Sequence, residues 1–233
     1  MENEVIPYLE MCQRERVNLQ QGMNYRLGST YSVILMSVRP NAPYRDTVVD
    51  DGATLIYEGH DIPHSDQSIN PKSVDQPEFT SRQQLTQNGK FHKAAEDYKK
   101  GLRPPEIVRV YEKIRPGMWS YNGVFHLVDS WLEHDGRRKV FKFKLQATQD
   151  EASSRDNFQD HSELRRVIPT QVKLEVWKRD KGKCVICGLT DELTFDHIIP
   201  YSKGGTSLSA KNIQLLWVSK WGQIFILDFS MPF

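Results

Sequence analysis

Residues 50–61 read DDGATLIYEGHD. Between Gly52 and Gly59 the stretch runs through Thr54, Leu55, Ile56 and Tyr57, the composition of a short β-strand set between turns. Runs of the same kind lie on either side: YSVILMSV at 31–38, EIVRVYEKI at 106–114, GVFHLVDSWLE at 123–133 and KVFKFKL at 139–145. Turns are predicted at Arg115-Pro116-Gly117, Asn122-Gly123 and Asp135-Gly136. One helix is expected around residues 88–100, with Phe91, Ala94, Ala95 and Tyr98 on one stripe and a stop at Gly101 and Pro104-Pro105. The pattern predicts an α+β fold, a twisted β-barrel with flanking helices, over residues 20–148, preceded by an N-terminal arm at 1–19.

The chain has 233 residues, 38% hydrophobic and 26% charged, enough for one sizeable core or two small ones. No leader pattern begins it and no apolar segment reaches the roughly 20 residues of a membrane span, so a soluble, cytoplasmic protein without a membrane partner is expected. Three cysteines, two of them spaced as C-x-x-C at Cys184 and Cys187, point to a metal or redox pair rather than a disulfide framework. The net charge is +1, but residues 81–148 carry 14 Lys+Arg against 7 Asp+Glu. Within that basic part, alternation along RRKVFKF and on to Leu145 puts Phe141, Phe143 and Leu145 on one face and Arg138, Lys142 and Lys144 on the other. Such a face is either solvated or meets phosphate.

Residues 147–163, ATQDEASSRDNFQDHSE, are polar and without periodicity, so a linker is placed at 149–163 and a second domain at 164–233. That domain opens with RRVIPTQVKLEVWKRDKGKC: Thr170 is a helix cap, Val172, Val176 and Trp177 form an apolar face, and the helix ends near Asp180 to Gly182. After the C-x-x-C come LTFDHIIP, a short strand ending in Asp196-His197, and SKGGTSLSAKNIQLL, a loop through Gly204-Gly205 to Asn212.

The blocks DDGATLIYEGHD, QLTQNGKFHKAA, PPEIVRVYEKI and WSYNGVFHLVDSWLEHDGRRKVFKFKLQ together resemble an SRA (YDG) domain, a PUA-like barrel, over residues 20–148. The resemblance implies a crescent-shaped barrel that binds double-stranded DNA and takes a modified cytosine out of the stack. Reading such a base requires aromatic stacking and hydrogen bonds to its Watson–Crick edge. Tyr57 falls at the family's stacking tyrosine. Tyr44 is the candidate for the opposite ring and Asp46 for the carboxylate facing the cytosine amino group, with Asp50 its rival. Arg138, Lys142 and Lys144 are the candidate phosphate contacts.

The order R-D-x-G-x-C-x-x-C, D-H-x-x-P, G-G, N-I-Q-x-L resembles the HNH, or ββα-metal, nucleases over about 50 residues. An SRA-like domain followed by this pattern is the arrangement of bacterial modification-dependent restriction endonucleases. Phosphodiester hydrolysis needs an activated water and a cation on the phosphate. The resemblance makes His197 the general base, Asp196 the ligand of Mg²⁺ or Mn²⁺, and Asn212 either the residue that orients the histidine loop or a donor of an amide oxygen. Cutting both strands with one-site domains calls for two copies, so a homodimer is one expectation.

The family pattern continues after Leu216 into a second C-x-x-C and a closing helix with Asn or His. Here the segment is WVSKWGQIFILDFSMPF, which has no Cys, Asn or His. Cys184 and Cys187 are then two of the four ligands of a structural Zn²⁺, and Cys12 lies in the first domain. An altered or truncated end, a replacement helix through Trp217, Trp221, Phe225 and Phe229, and pooling of C-x-x-C pairs by two chains are the three explanations; the first is favoured, with an impaired nuclease as its consequence. The expected function is modified-cytosine-dependent cleavage of DNA containing 5-methyl- or 5-hydroxymethylcytosine. A non-cutting modified-DNA reader is the alternative, and an RNA- or nucleotide-binding barrel with a structural finger is the second.

Overall fold

The strand-like runs pair with one another across the chain rather than within two separate units. The computed structural model describes residues 3–27, 30–39, 41–63, 70–148, 167–200 and 203–218. The linker at 149–163 and all but the first two residues of the closing segment lie outside these residues, and with them the replacement-helix reading.

Ten strands form one sheet among the described residues. They are β1 (Glu4–Pro7), β2 (Met23–Asn24), β3 (Ser32–Met36), β4 (Thr47–Val49), β5 (Thr54–Glu58), β6 (Glu106–Arg115), β7 (Met118–His134), β8 (Lys139–Ala147), β9 (Leu193–His197) and β10 (Ile213–Trp217). The order runs β10-β9-β1-β7-β6-β3-β2, and the second half of β7 also pairs with β8, which leads to β5 and β4. Only β3 and β6 run parallel; every other pairing is antiparallel. Both limbs turn their apolar faces to one core, built from Ile34 and Met36, Leu55 and Tyr57, Val108 and Val110, Phe125 and Leu127, and Phe141, Phe143 and Leu145. The two limbs of the sheet thus share one core, an arrangement compatible with the expected barrel, each large side chain contributing about 1.5–3 kcal/mol on burial.

Helix α2 (Gln87–Lys99) plugs this core with Phe91, Ala94 and Ala95. The Thr86 hydroxyl caps it by accepting the Gly89 N–H at 3.2 Å, and Gly101 ends it in the left-handed region at φ +71°. Pro116-Gly117 and Asp135-Gly136 make the hairpin turns between β6, β7 and β8, as expected. Asn122-Gly123 does not turn the chain. It lies inside β7, where Val110 faces Gly123 and Tyr111 faces Tyr121, so Asn122 is the extra residue of a β-bulge and Gly123 takes φ +96°.

The first nineteen residues are no arm. Strand β1 sits between β7 and β9, with Val5 opposite both Ser120 and Leu193. Helix α1 (Tyr8–Glu15) follows it and buries Met11 against Leu19, Tyr111 and Trp119. Because successive strand side chains alternate, Val5 enters the core of the C-terminal region while Ile6 enters the one beneath α1. The C-terminal strands thus extend the same sheet instead of forming a detached domain.

Helix α3 (Thr170–Arg179) starts at Thr170 itself, so the Thr170 side chain is not its cap. Its hydroxyl instead donates to the buried Glu112 carboxylate. Lys173, fully buried, donates to Glu112 at 2.9 Å and to the bulge residue Asn122 at 2.6 Å. Val172 and Val176 face Leu193, Phe195 and Ile213, as their spacing predicts.

Candidate functional site

A cleft of about 750 Å³ opens where β3, β5 and β6 meet the loop before β2. Tyr44, Asp46, Tyr57 and His60 line it together with Ser37 and Gly22. Tyr57 stands on β5 and is only 2% exposed, with its ring in the barrel core and its hydroxyl 3.0 Å from His60 Nε2. The Tyr44 ring stacks on the His60 ring at 5.2 Å and 15°, and the Lys72 ammonium lies 4.2 Å from the Tyr44 centroid. Gly22 is needed here for close approach, because a Cβ would fall 2.6 Å from His60 Nε2 and 2.7 Å from the Tyr57 hydroxyl.

Asp46 is buried at the base of the cleft, and its two oxygens accept the backbone N–H groups of Ser37 (2.9 Å) and Glu58 (3.0 Å). Burial outweighs these bonds and pushes its pKa up to about 7. Burial acts on His60 in the opposite sense and lowers it to about 4, so the imidazole is neutral near pH 7. Asp50, the rival carboxylate, is exposed beside Val49 and Lys144 and does not line this cleft.

The segment after β5 is held from outside the cleft. Asn88 accepts the His60 N–H at 2.8 Å and donates to the His60 carbonyl at 2.8 Å, while Gln76 donates to the Gly59 carbonyl at 2.6 Å. Sequence reasoning missed His60, Asn88 and Gln76. His60 had a signal, since it stands three residues after Tyr57 within the same motif.

The basic face expected on β8 is not one. Arg138 is 2% exposed, pairs with Asp61 at 2.6 Å and donates to the Pro71 carbonyl at 2.6 Å. Lys142 is buried on Glu58 at 2.9 Å. Both charges are paired inside the protein, where an unpaired ion would be costly. Lys144 is half-buried beside Asp50 and Asp129, outside the cleft. Alternation places Lys142 and Lys144 on one face of β8 and Arg138 just before it in the same phase, but the loop at 70–76 and Glu58 of β5 cover Arg138 and Lys142.

The second cluster is the β9–β10 hairpin. Asp196 and His197 are the last two residues of β9, and His197 faces Ile213 in the ladder. His197 Nε2 lies 3.0 Å from the Ser207 hydroxyl. Asn212 ties down the intervening loop: its amide donates to the carbonyls of Ile199 (3.0 Å) and Thr206 (3.1 Å), and its oxygen accepts the Ile199 N–H at 2.9 Å. Gly205 lets the loop close, since a Cβ there would lie 1.8 Å from the Ile199 carbonyl. Arg179 and Asp180 brace β10 from α3, through the Ala210 and Ile213 carbonyls and the Leu215 N–H.

Cys184 and Cys187 begin a tight turn in which the Cys184 sulfur accepts backbone N–H groups from Ile186 (3.4 Å) and Cys187 (3.5 Å). Burial raises the Cys184 thiol, but N–H groups of Cys187, Trp217 and Ile186 outweigh it and the pKa falls, toward the thiolate form a metal needs. These two cysteines are half of a closed zinc set, and Cys12 lies on α1 in another cluster. Among the described residues no three His, Cys, Asp or Glu side chains converge on one metal position. Two thiols alone do not fit a structural zinc. Asp196 does fit a hard divalent ion, which takes one or two carboxylates and fills its shell with water and phosphate oxygen.

No helix among the described residues is long and apolar enough to cross a membrane. Residues 184–219 match the HNH endonuclease family. No curated protein matches the chain at a significant level. Among solved structures the chain is similar to the SRA domain of SUVH5 with hemimethylated CG DNA, at 22% identity over 60% of this chain and 83% of that one, with a TM-score of 0.41. It is also similar to a modification-dependent TagI restriction endonuclease, at 18% identity over 93% of this chain and 74% of that one, with a TM-score of 0.41. Arabidopsis thaliana SUVH6 in complex with SAM is similar at 19% identity over 74% of this chain and 28% of that one, with a TM-score of 0.40.

Proposed function

We propose that the chain is a modified-cytosine-dependent DNA endonuclease, whose cleft receives a base turned out of the duplex and whose β9–β10 hairpin hydrolyses the strand. The observation that carries the reading is the convergence of Tyr44, Asp46, Tyr57 and His60 on one cleft, in a chain whose residues 184–219 match a nuclease family.

Cytosine presents an amino donor beside the N3 acceptor. A neutral carboxyl group offers the complement, a carbonyl oxygen to accept and an O–H to donate, and Asp46 is the acid whose burial keeps it protonated to about pH 7. The Tyr44 ring supplies a stacking surface. The neutral His60 presents no charge to the base, and its bond to the Tyr57 hydroxyl holds both groups in place.

In the hairpin His197 takes the proton of the attacking water, and Ser207, hydrogen-bonded to Nε2, orients the ring. Asn212 fixes the loop that carries the histidine, acting as a positioning residue. Asp196 would hold Mg²⁺ or Mn²⁺, which when bound stabilises the charge growing on the scissile phosphate.

The test is a set of duplexes carrying cytosine, 5-methylcytosine or 5-hydroxymethylcytosine, assayed for binding and for cutting with Mn²⁺ or Mg²⁺. Preference for a modified duplex together with metal-dependent cutting is expected. Equal binding to all three overturns the reading of the cleft. Preference without cutting selects a second reading, a modified-DNA reader, which is favoured by the lack of three converging metal donors among the described residues.

A further inference from the structure

With Arg138 and Lys142 buried, the charge that meets the DNA backbone must come from elsewhere, and the cleft itself supplies it. Its lining holds two side chains that are cationic at neutral pH, Arg39 and Lys113. Strands β3 and β6 are parallel, with Met36 opposite Glu112, so Arg39 follows the end of β3 and Lys113 nears the end of β6 at the same edge of the barrel. Both are half-buried, and among the described residues neither has a carboxylate partner. Six other cations of this region, Arg26, Arg103, Arg109, Lys72, Lys99 and Arg138, each have one within 3.3 Å and are neutralised in place, and among the described residues no further unpaired cation lines the cleft.

Each of the two cations is also presented rather than loose. Arg39 Nε donates to the Ser37 hydroxyl at 3.2 Å, which leaves its terminal nitrogens for an incoming acceptor. The Lys113 ammonium lies 5.6 Å from the centroid of Trp119, a mostly buried ring that gives it a platform without cancelling its charge. The acid that lines the cleft, Asp46, is bonded to backbone N–H groups and makes no ion pair with either cation among the described residues. An edge with two uncompensated cations beside a site for a turned-out base matches an anionic diester.

We infer that Arg39 and Lys113 form the phosphodiester anchor of the cleft, gripping the backbone beside the turned-out nucleotide. The inference rests on the reading of the cleft as a DNA site. Phosphate contacts position a protein on DNA without reading its sequence, and each one displaces counterions, so their number is visible in the salt dependence of binding.

The experiment measures the affinity of the full chain for an unmodified and a 5-methylcytosine duplex by fluorescence anisotropy across a potassium chloride series. It compares the parent with Arg39→Gln, Lys113→Gln, the double variant and Arg39→Lys. Each Gln change should flatten the slope of log K against log salt by about one, and the double by about two, equally on both duplexes. Arg39→Lys should keep the parental slope. Glutamine removes the charge while keeping a polar, part-aliphatic side chain, and circular dichroism verifies that each variant is folded. Inorganic phosphate should compete no better than chloride of matched ionic strength, because the anchor takes a diester in a strand; competition well beyond chloride would mark a free-phosphate site and overturn the assignment.

An unchanged slope in the folded double variant, or a loss confined to the modified duplex, would overturn the anchor as well. If the parent does not distinguish the duplexes yet the slopes flatten, the base-reading function fails and the anchor stands. If the parent discriminates and the slopes do not move, the anchor alone fails. If it binds neither duplex, both fall.

Discussion

The side-chain braces of the hairpin cluster come from residues 179–217, with the Asn212 clamp on Ile199 spanning 13 residues, while its backbone edge pairs far away in sequence, with β1. The cleft joins Tyr8 to Trp119, and the ion pair that buries Lys142 on Glu58 spans 84 residues. Groups close in the chain can be preserved as a motif with fixed spacing, so the mutual placement of Asp196, His197 and Asn212 depends on short-range contacts once β9 has joined the sheet. The cleft exists only when the two limbs of the sheet have packed on their common core, and its polar groups acquire their protonation states from that packing. Substitutions in the hairpin should therefore act on chemistry alone, while those around the cleft should mix binding with stability.

The sharpest separation is expected at His197. Loss of the general base in His197→Ala should lower metal-dependent cleavage by roughly 10²- to 10⁴-fold and leave both the affinity for modified duplex and the thermal midpoint near the parent's. Cleavage by the variant at the parental rate would place the chemistry in other residues.

Lys173 tests whether the two regions are one folding unit. Lys173→Met strands the Glu112 carboxylate in a dry site, and breaking a buried pair in this way costs about 3–5 kcal/mol. Denaturant unfolding should show one cooperative transition, shifted for both regions, and Glu112→Gln combined with Lys173→Met should recover part of the loss. Two separate transitions in the parent would break the comparison.

Within the cleft, the two tyrosines should part company. Tyr57→Ala removes a ring from the core and should cost stability before it costs binding, on the order of the 3–5 kcal/mol of a large aromatic truncation. Tyr44→Ala, on a half-buried ring, should instead lose about 1–3 kcal/mol of binding to modified duplex with little change in unfolding. Equal effects of the two on binding at unchanged stability would show that both rings face the base.

The smallest effect is one of pH. Preference for modified cytosine should decline as pH rises through about 7, where Asp46 loses its proton, and Asp46→Asn, which keeps a donor beside an acceptor, should remove that decline. Stability carries the same signature. Asp46 rises from 3.8 to about 7, so its contribution is complete below 3.8 and lost as pH climbs to 7; His60 falls from 6.5 to about 4, so its contribution is complete above 6.5 and lost as pH drops to 4. The two oppose each other between pH 4 and 6.5, and Asp46→Asn should uncover a stability that increases with pH across that window. A flat profile in the variant would mean that His60 titrates normally.

Local order was legible in the sequence. Alternation and turn residues placed β3, β5, β6, β8, α2 and the Pro116-Gly117 and Asp135-Gly136 turns, and fixed spacing singled out Cys184, Cys187, Asp196, His197 and Asn212, because periodicity and short loops are properties of neighbours in the chain. Tertiary structure alone decided the rest. Four residues at Glu4–Pro7 are too few to show a period, yet β1 joins two regions of the sheet. Asn122-Gly123 has turn chemistry that the β6 pairing converts into a bulge, aiming Asn122 at Lys173. Arg138 and Lys142 alternate like surface residues but are buried by a loop and by Glu58, partners found 67 and 84 residues away. Alternation determines which face of a strand a side chain takes, and only the packing of distant segments determines whether that face meets water, a counter-ion or a ligand.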